Sequence, residues 1–386
     1  MASDRSIQPL PLDGHVHYGH PAFKDRLVAV MDELGVERFN VVCTPHPTRL
    51  SLVPDALHLK AHYPERVFVF GGLDISALVI DPGNAGAFFA HYVDTLLEMG
   101  CDGIKMIEGK PDMRKLLNVP PFDGPVYAPY WEKMAAAGVP LIFHVNDPAE
   151  FWDKERIPDW ARSSGWFYGD GTFVDNETQY AEIVSVLTRH PDLKVVLAHF
   201  FFLSGDLPRL ADCLDRFPGM HVDLTPGIEM YPNFSADPVR TRDFFLKYQD
   251  RILFGTDIGA KAMLATPQLG IEREESLVRN RLVRRFLESE GEFRLDLQQG
   301  YLFGKFDGAF RGIQLPVPVL EKIYFGNFEK LAGKKPRGLD PGKIVAECER
   351  LAAAVVAMGA ARPGEPGDPS VAKMVSRFFA AGGRES

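Results

Sequence analysis

Short apolar runs alternate with helical patterns up to residue 257, and this alternation constrains the fold more than any other feature of the chain. A run such as Val67–Asp74 is typical of a strand that is buried in a parallel sheet. A stretch such as Phe23–Leu34, with apolar residues at three- and four-residue spacing, predicts a helix. The eight predicted strands are Ile7–His17, Arg38–Cys43, Val67–Asp74, Gly103–Ile107, Val139–Val145, Leu193–Phe200, Met220–Leu224 and Arg251–Asp257.

Strands that alternate with helices favour βαβ units and a parallel sheet. Eight such units in about 250 residues is the count of a (β/α)8 barrel. The alternative is a doubly wound open sheet, which usually carries a glycine-rich phosphate-binding turn after its first strand. The sequence has no such turn there. We therefore predict an α/β fold, a (β/α)8 TIM barrel with a C-terminal helical extension.

The residues after the eighth strand are mostly helical in pattern. A Phe/Gly-rich insertion at Gly291–Leu315 could border a site on the barrel, and a Lys/Pro/Gly-rich linker follows further on. We divide the chain into a catalytic barrel domain at residues 1–335 and a helical extension at residues 336–386. The helices predicted after the barrel strands are Glu272–Glu290, Ile344–Met358 and Val371–Ala381.

Composition narrows the classes of partner. The net charge of −9 argues against a general nucleic-acid or anionic-membrane partner. The N-terminal residues lack the apolar core of a signal peptide, and no run approaches the ~18 apolar residues of a membrane span. The four cysteines are widely spaced, which predicts reduced thiols in a cytoplasmic protein. We expect a small-molecule substrate, no nucleic-acid or membrane partner, and room for a homodimer or higher homo-oligomer.

Polar side chains lie at the carboxyl ends of five predicted strands, where barrel enzymes hold their catalytic residues. His15 and His17 are two residues apart, so they leave one face of a strand and can share a metal ion. A single buried histidine is often an ordinary core residue, but burying many polar groups together without purpose would leave costly unsatisfied atoms. Imidazole and carboxylate groups on one rim predict a metal site. The converging residues are His15, His17, Lys105, His144, His199 and Asp257.

Such a site suits hydrolysis. A catalytic zinc site keeps about three protein ligands and an open position for water, whose pKa the metal lowers to about 7. An aspartate can take the proton as the water attacks a carbonyl carbon, and a histidine can stabilise the developing oxyanion. The same site could instead bind a carboxylate and support loss of CO₂. A barrel that binds a small molecule or metal without turnover is a third hypothesis.

The order of these motifs resembles the amidohydrolase superfamily of metal-dependent barrel hydrolases. It is most similar to the amidohydrolase-related branch, which also contains decarboxylases of aromatic and semialdehyde acids and some lactonases. The resemblance covers about Leu10 to Leu331. It implies a hydrolase of a C–N or C–O bond in an amide, lactone or ester, acting on a small carboxylated or aromatic substrate. A non-oxidative decarboxylase is the alternative that it implies.

The resemblance also implies a role for each matching residue. His15, His17 and His144 would be metal ligands, and Asp257 would be a further ligand or a proton shuttle. His199 would orient or polarise the substrate oxygen, or help to activate water. Because this branch usually uses a single ion, we expect one divalent transition metal, with Zn²⁺ favoured over Mn²⁺ or Fe²⁺.

The fourth strand departs from the pattern of the branch. Lys105 occupies the position that some members carboxylate to bridge two metals, and we count it as catalytic with Asp257 and His199. The branch often has a histidine two residues further on, where this chain has Ile107. That departure makes Glu108, the next residue, a candidate for the site instead.

A long loop, residues 146–174, follows the fifth strand and contains three of the four tryptophans. Loops longer than about 12–15 residues are usually functional lids or disordered, and the aromatic content favours a lid over a planar substrate. The alternative is that these rings pack on the barrel or on a partner subunit. A second loop, after the second strand, could also face the substrate, or its residues could have only a structural role in the loop. The expected substrate-binding residues are Glu108, Asn146, Trp152, Trp166, His46 and Arg49.

Overall fold

The computed structural model of the chain describes residues 9–260, 271–295, 308–361 and 367–383. Eight parallel strands, β1 to β8, form its centre, and each pairs with the next one along the chain. The strands are Asp13–Val16 (β1), Phe39–Val42 (β2), Val67–Gly72 (β3), Gly103–Gly109 (β4), Leu141–Val145 (β5), Val195–Leu197 (β6), Met220–Asp223 (β7) and Ile252–Leu253 (β8).

Backbone hydrogen bonds between the last strand and the first bring the two ends of the sheet together. The amide of Gly14 donates to the carbonyl of Phe254 over 3.0 Å. The amide of Asp257 donates to the carbonyl of His15 over 2.9 Å, and a parallel bridge joins Val16 to Ile258. These bonds complete the ring, and the predicted (β/α)8 barrel is confirmed.

A helix follows each barrel strand and packs on the outside of the sheet. Two predicted helix ends are confirmed at Gly100 and Gly138, whose φ angles of 102° and 60° allow the left-handed turn that ends a helix. The barrel helices are Lys24–Glu33 (α1), Val53–His62 (α2), Ala85–Met99 (α3), Ala128–Ala137 (α4), Asn176–Arg189 (α5), Leu207–Arg216 (α6), Pro238–Lys247 (α7) and Arg273–Glu288 (α8).

An apolar cluster fills part of the barrel interior. Phe328 comes from the helix Asn327–Ala332, and its ring packs against Phe68 and Phe70 at centroid distances of 5.1 and 5.9 Å. Ile142 on β5 belongs to the same cluster. Because side chains alternate along a strand with period two, His144 faces the same interior one step nearer the carboxyl end. The apolar interior therefore gives way to polar side chains at the rim.

The segments after α8 follow the predicted order. The insertion at Gly291–Leu315 contributes to an antiparallel hairpin of Glu290–Phe293 and Phe310–Ile313, and its middle, residues 296–307, lies outside the described residues. The extension contains the helices Pro341–Ala361 and Ser370–Ala380, so both predicted helices are present there. Across the described ranges, no helix combines the length and the apolarity that crossing a bilayer requires.

Candidate active site

The carboxyl ends of β1 and β8 bring three of the predicted ligands together. His15 and His17 are buried, with ring centroids 5.2 Å apart. Asp257 Oδ1 lies 3.1 Å from His17 Nε2 and 3.9 Å from His15 Nε2. One ligand atom from each of the three residues lies within 4.8 Å of the others. The two ends of the barrel sequence thus meet at one point.

The protonation of these three groups fits a cation between them. Burial lowers the pKa of both His15 and His17, so that each imidazole is neutral near pH 7. Burial alone would raise the pKa of Asp257, but the neighbouring His17 and Arg279 hold it well below its usual range. A carboxylate oxygen and an imidazole lone pair repel each other unless a proton or a cation lies between them. The donor set therefore fits a divalent transition metal.

Lys105 on β4 lies at the edge of this group. Its Nζ is 3.2 Å from His15 Nε2. Burial lowers the pKa of Lys105 to about 8, while the carboxylates of Asp223 and Asp257 oppose that shift. The ammonium group can therefore donate a hydrogen bond near pH 7 and still release its proton at moderately alkaline pH.

His144 and His199 form a second pair on the wall of the same cavity, with ring centroids 4.8 Å apart. His144 Nε2 lies 2.9 Å from the carbonyl oxygen of Asn146. Since a carbonyl oxygen only accepts, this nitrogen carries a proton, and Nδ1 holds the lone pair. His144 is not part of the three-residue donor group, so its role as a ligand stays a prediction.

His199 has the opposite tautomer. Its Nδ1 lies 3.2 Å from the carbonyl oxygen of Thr225, so Nδ1 donates and Nε2 holds the lone pair. Burial and the nearby His144 lower the pKa of His199 to about 4. A neutral imidazole with a free Nε2 lone pair can accept a proton from water or bind a metal. It cannot donate a hydrogen bond from Nε2 to an oxyanion.

The segment that carries His199 departs from the predicted strand. The strand Leu193–Phe200 was expected, but β6 ends at Leu197 because the four residues from His199 to Phe202 have φ angles between 53° and 58°. A left-handed conformation costs an L-residue about 1–2 kcal/mol. Aromatic packing offsets that strain, since the ring of Phe201 packs on Tyr180 at 4.9 Å. The turn brings the Phe202 ring to 5.1 Å from that of His199.

A cavity of about 160 Å³ opens on these side chains at the carboxyl end of the barrel. All six residues that were predicted as metal-binding or catalytic line it. The rest of the wall is mainly apolar and aromatic, with Phe151, Trp166 and Phe202 as its rings and Lys110 as a further cation. The sequence rule that placed chemistry at the strand ends thus predicted residues that share one cavity.

A family model described as Amidohydrolase matches residues 77–331, which is more than half of the chain. The chain belongs to the amidohydrolase family. This match confirms the predicted superfamily. The matched residues begin after the strand that carries His15 and His17, so the match does not depend on those two histidines. No curated protein sequence matches the chain.

Solved structures that are similar to this chain include one described as an amidohydrolase. A Staphylococcus aureus protein assigned as an amidohydrolase is 16% identical, with a TM-score of 0.51, over 84% of this chain and 99% of that one. The 5-carboxyvanillate decarboxylase LigW from Sphingomonas paucimobilis is 13% identical, with a TM-score of 0.48, over 84% and 98%. An Acinetobacter baumannii protein assigned as a 2-pyrone-4,6-dicarboxylic acid hydrolase, solved with citric acid, is 13% identical, with a TM-score of 0.47, over 84% and 100%.

Membership of this family makes the chain an enzyme of a metal-dependent family. The group of His15, His17 and Asp257 offers such a metal a place in the amidohydrolase barrel. The barrel that binds without turnover, the third hypothesis from the sequence, is excluded by the family.

The loop after β5 of this amidohydrolase has a small core of its own. Buried Phe151, Ile157 and Tyr168 pack with the tryptophans at positions 152, 160 and 166. Tyr168 Oη donates to Asp147 Oδ2 over 2.7 Å, and Lys110 Nζ donates to the same oxygen over 2.8 Å. Phe151 and Trp166 also line the cavity. The loop therefore packs on itself and covers the site at the same time.

Of the six predicted substrate-binding residues, only Trp166 lines the cavity. The structure places the other five outside the wall. Asn146 accepts from Gln179 inside the barrel wall, and Trp152 Nε1 donates to the carbonyl of Val174. Glu108, on β4, is buried, and after burial itself its carboxylate is the next cause that raises the pKa of Tyr127 and Tyr130, beside and in α4. The five residues outside the cavity are Glu108, Asn146, Trp152, His46 and Arg49.

His46 and Arg49 lie in the loop after β2, where they support local structure. The amide of Thr48 donates to His46 Nδ1 over 3.3 Å. Arg49 forms a buried ion pair with Asp55 at 2.7 Å and donates to the carbonyl of Gly19 over 2.6 Å. Arg49 therefore joins the loop after β1 to the start of α2, which positions the rim without facing the substrate.

Sequence reasoning missed two charged residues of the site. Asp223 is the last residue of β7, and its Oδ2 lies 2.8 Å from His15 Nδ1. The rule for strand ends would have found it. Arg279 is fully buried in α8, with Nη1 3.4 Å from Asp257 Oδ2. It had no sequence signal, because an arginine in a charged helix normally faces solvent.

Proposed function

We propose that this enzyme hydrolyses a C–N or C–O bond of an amide, lactone or ester in a small carboxylated or aromatic substrate. The observation that carries the proposal is the convergence of His15, His17 and Asp257 at the carboxyl end of the barrel. We propose one divalent transition metal there, with Zn²⁺ favoured over Mn²⁺ or Fe²⁺. When bound, such an ion supplies Lewis acidity at a carbonyl oxygen and acidifies water.

Asp257 is the proposed general base. Its carboxylate is ionised at neutral pH, because His17 and Arg279 stabilise the charged form. Oδ1 faces the two histidines of β1, and Oδ2 faces Arg279, so the group has a fixed orientation. In that position Asp257 can take the proton from the attacking water and return it to the leaving nitrogen or oxygen.

His199 and Lys105 have the two remaining proposed roles, which are water activation and stabilisation of the oxyanion. The lone pair on His199 Nε2 suits help with water activation. The Lys105 ammonium is the better donor to a developing oxyanion, because its charge is buried in a site that strengthens electrostatic interactions. The imidazole of His144, with its lone pair on Nδ1, stays available as a ligand.

The cavity walls support a small and partly planar substrate. Phe151, Trp166 and Phe202 offer ring faces, and about 160 Å³ leaves room for a compact molecule only. Lys110, with its Nζ 5.0 Å from the centroid of the Trp166 ring, is already paired with Asp147 at 2.8 Å and with Asp112 at 3.2 Å, so its charge is neutralised within the wall. A substrate carboxylate could face the Lys105 ammonium group while the ring packs on the aromatic wall.

Non-oxidative decarboxylation of an aromatic or semialdehyde acid is the second candidate. The cations of Lys105 and Arg279 favour it, because they flank the donor group and could hold a carboxylate that is to be lost. The bond to CO₂ would break, its electron pair would stay on the substrate carbon, and that carbon would take a proton from the Lys105 ammonium group, since His199 Nε2 and the Asp257 carboxylate carry none. All residues named for hydrolysis serve both reactions.

Product analysis with Zn²⁺-loaded protein tests the proposal. The panel contains lactones, amides, esters and hydroxybenzoates, and release of acid and of CO₂ are both measured. We expect acid release from at least one ester, lactone or amide, with a loss of at least about 100-fold in kcat for Asp257→Asn. Asp74→Asn, a buried aspartate outside the cavity wall, serves as the control. Release of CO₂ alone, or no turnover of the whole panel, would overturn the hydrolase.

A further inference from the structure

The carboxylate of Asp223 contacts two separate parts of the site. Asp223 is 2% exposed at the end of β7. Its Oδ2 lies 2.8 Å from His15 Nδ1. Its Oδ1 accepts from the amide of His199 over 2.9 Å and from the amide of Thr225 over 3.2 Å. One buried side chain therefore connects β1, β7 and the turn after β6.

The contact with His15 decides which ring nitrogen carries the proton. A carboxylate oxygen accepts, so His15 Nδ1 is the donor and Nε2 holds the lone pair. Lys105 Nζ lies 3.2 Å from Nε2, as expected for an ammonium group that donates to a lone pair. Nε2 is also the atom that faces Asp257. The orientation of the ring and its tautomer thus both follow from the partner on β7.

The contact with His199 acts on the backbone. The amide of His199 opens the left-handed turn of residues 199–202, which carries both His199 and Phe202 to the cavity. Each residue in this turn has a left-handed backbone that L-residues rarely adopt, so the turn needs fixed partners to persist. Asp223 Oδ1 supplies one at its first residue.

We propose that Asp223 is a positioning residue, which sets the tautomer of His15 and anchors the left-handed turn. The role rests on the proposed function in that His15 Nε2 is the atom offered to the metal. A hydrogen-bonded carboxylate behind a ligating histidine fixes its ring, and its loss typically lowers metal affinity by about 10–100-fold. Asp223 itself stays away from the substrate, outside the residues that line the cavity.

The test is the tautomer of His15 in metal-free protein at pH 8. Protein labelled with ¹⁵N-histidine shows which ring nitrogen is protonated, and His15→Gln assigns the signal. We expect Nδ1–H in the native chain. In Asp223→Asn the amide group can donate to Nδ1, so we expect the Nε2–H tautomer and a Zn²⁺ affinity lower by about 10–100-fold.

Asp74→Asn is the matched control. Asp74 is 1% exposed, follows β3, and accepts from the amide of Ser76 two residues on, as Asp223 does from Thr225. We expect this variant to keep both the tautomer and the Zn²⁺ affinity.

An Nε2–H tautomer in the native chain would overturn the proposal, even if Asp223→Asn does not fold. An Asp223→Asn protein that unfolds more easily but keeps the native tautomer and affinity would do the same. Neither reading depends on which bond the enzyme cleaves. A failure of the hydrolase assignment and a failure of this role are therefore distinguishable.

Discussion

At the scale of single residues, the site depends on which atom of each side chain is free. His15 offers Nε2 because Nδ1 donates to Asp223, and His199 offers Nε2 because Nδ1 donates to Thr225. His144 differs, because its Nε2 donates to the carbonyl oxygen of Asn146 and the lone pair is therefore on Nδ1. The spacing of the residues in the sequence says nothing about these choices. Each is made by a neighbour that arrives from another strand or loop.

Metal content tests the donor group residue by residue. Protein purified with divalent metals present should contain about one transition-metal ion per chain. His17→Gln should retain less than about a tenth of it, because removing one of three converging ligands weakens the site strongly. The measurement is elemental analysis by mass spectrometry.

Two further variants complete this experiment. His221→Gln alters a histidine on β7 that does not line the cavity, and it should keep the native metal content. His144→Gln tests whether that residue is the further ligand that the family resemblance implies, in which case the metal is lost. Full metal occupancy in His17→Gln would refute the site as described.

At the scale of elements, the loop after β5 is held to the rim by a cluster of three polar groups. Lys110 follows β4, Asp147 follows β5, and Tyr168 comes from the far end of the loop. Two hydrogen bonds converge on Asp147 Oδ2, from Tyr168 Oη and from Lys110 Nζ. Since Phe151 and Trp166 of this loop line the cavity, its position decides how far the site is closed.

Tyr168→Phe should loosen this loop without removing its ring from the aromatic cluster. A buried hydrogen bond contributes about 1 kcal/mol, so local opening should increase by roughly fivefold. Amide hydrogen exchange across residues 150–168 measures the opening, and KM should rise while metal content stays constant. Tyr231→Phe removes a comparable buried hydroxyl, which donates to Leu224, and leaves the loop untouched. Equal exchange rates in the two variants would contradict the role of the cluster.

At the scale of the whole molecule, the C-terminal extension contacts the barrel at several points. Arg350 pairs with Asp74 after β3 at 2.8 Å. The amide of Arg337 donates to Asp102, just before β4, and the amide of Asp368 donates to Thr48 in the loop after β2. The extension therefore connects neighbouring units of the barrel, although the division at residue 335 remains a prediction.

Buried acids give the whole fold a dependence on pH, and Glu108 is the clearest case. Burial raises its pKa to about 7, whereas an unfolded glutamate titrates near about 4.3. Between these values the folded chain binds a proton that the unfolded chain has released. The contribution of Glu108 to the free energy of unfolding therefore falls as pH rises from about 4 to about 7, and it stays at its lowest value above that range.

Glu108→Gln should remove this component. At pH 8 the variant should gain up to roughly 3 kcal/mol over the native chain, and at pH 4 the two should be nearly equal. Urea unfolding at both pH values measures the difference. Glu349→Gln, at an exposed position, should follow the native curve. A Glu108→Gln protein with the same pH slope as the native chain would show that the carboxyl group is ionised in the fold.

The sequence by itself determined the number of strands, the barrel and the residues that share its rim. Those features are local, because the burial of a strand and the period of its side chains follow from a few adjacent residues. His15 and Asp257 were found in this way, at opposite ends of the barrel sequence.

The tertiary structure alone decided which partners these residues have. Asp223 is 208 residues from His15 in the chain. Arg279 reaches Asp257 from α8, a helix whose many charged residues would suggest that its arginines face solvent. The left-handed turn at His199 is equally nonlocal, since it depends on what packs against the end of the strand. The alternation of side chains along a strand and the residues at its carboxyl end can be predicted for one strand at a time. The orientation of a ring or a carboxylate follows only when all eight strands have closed around it.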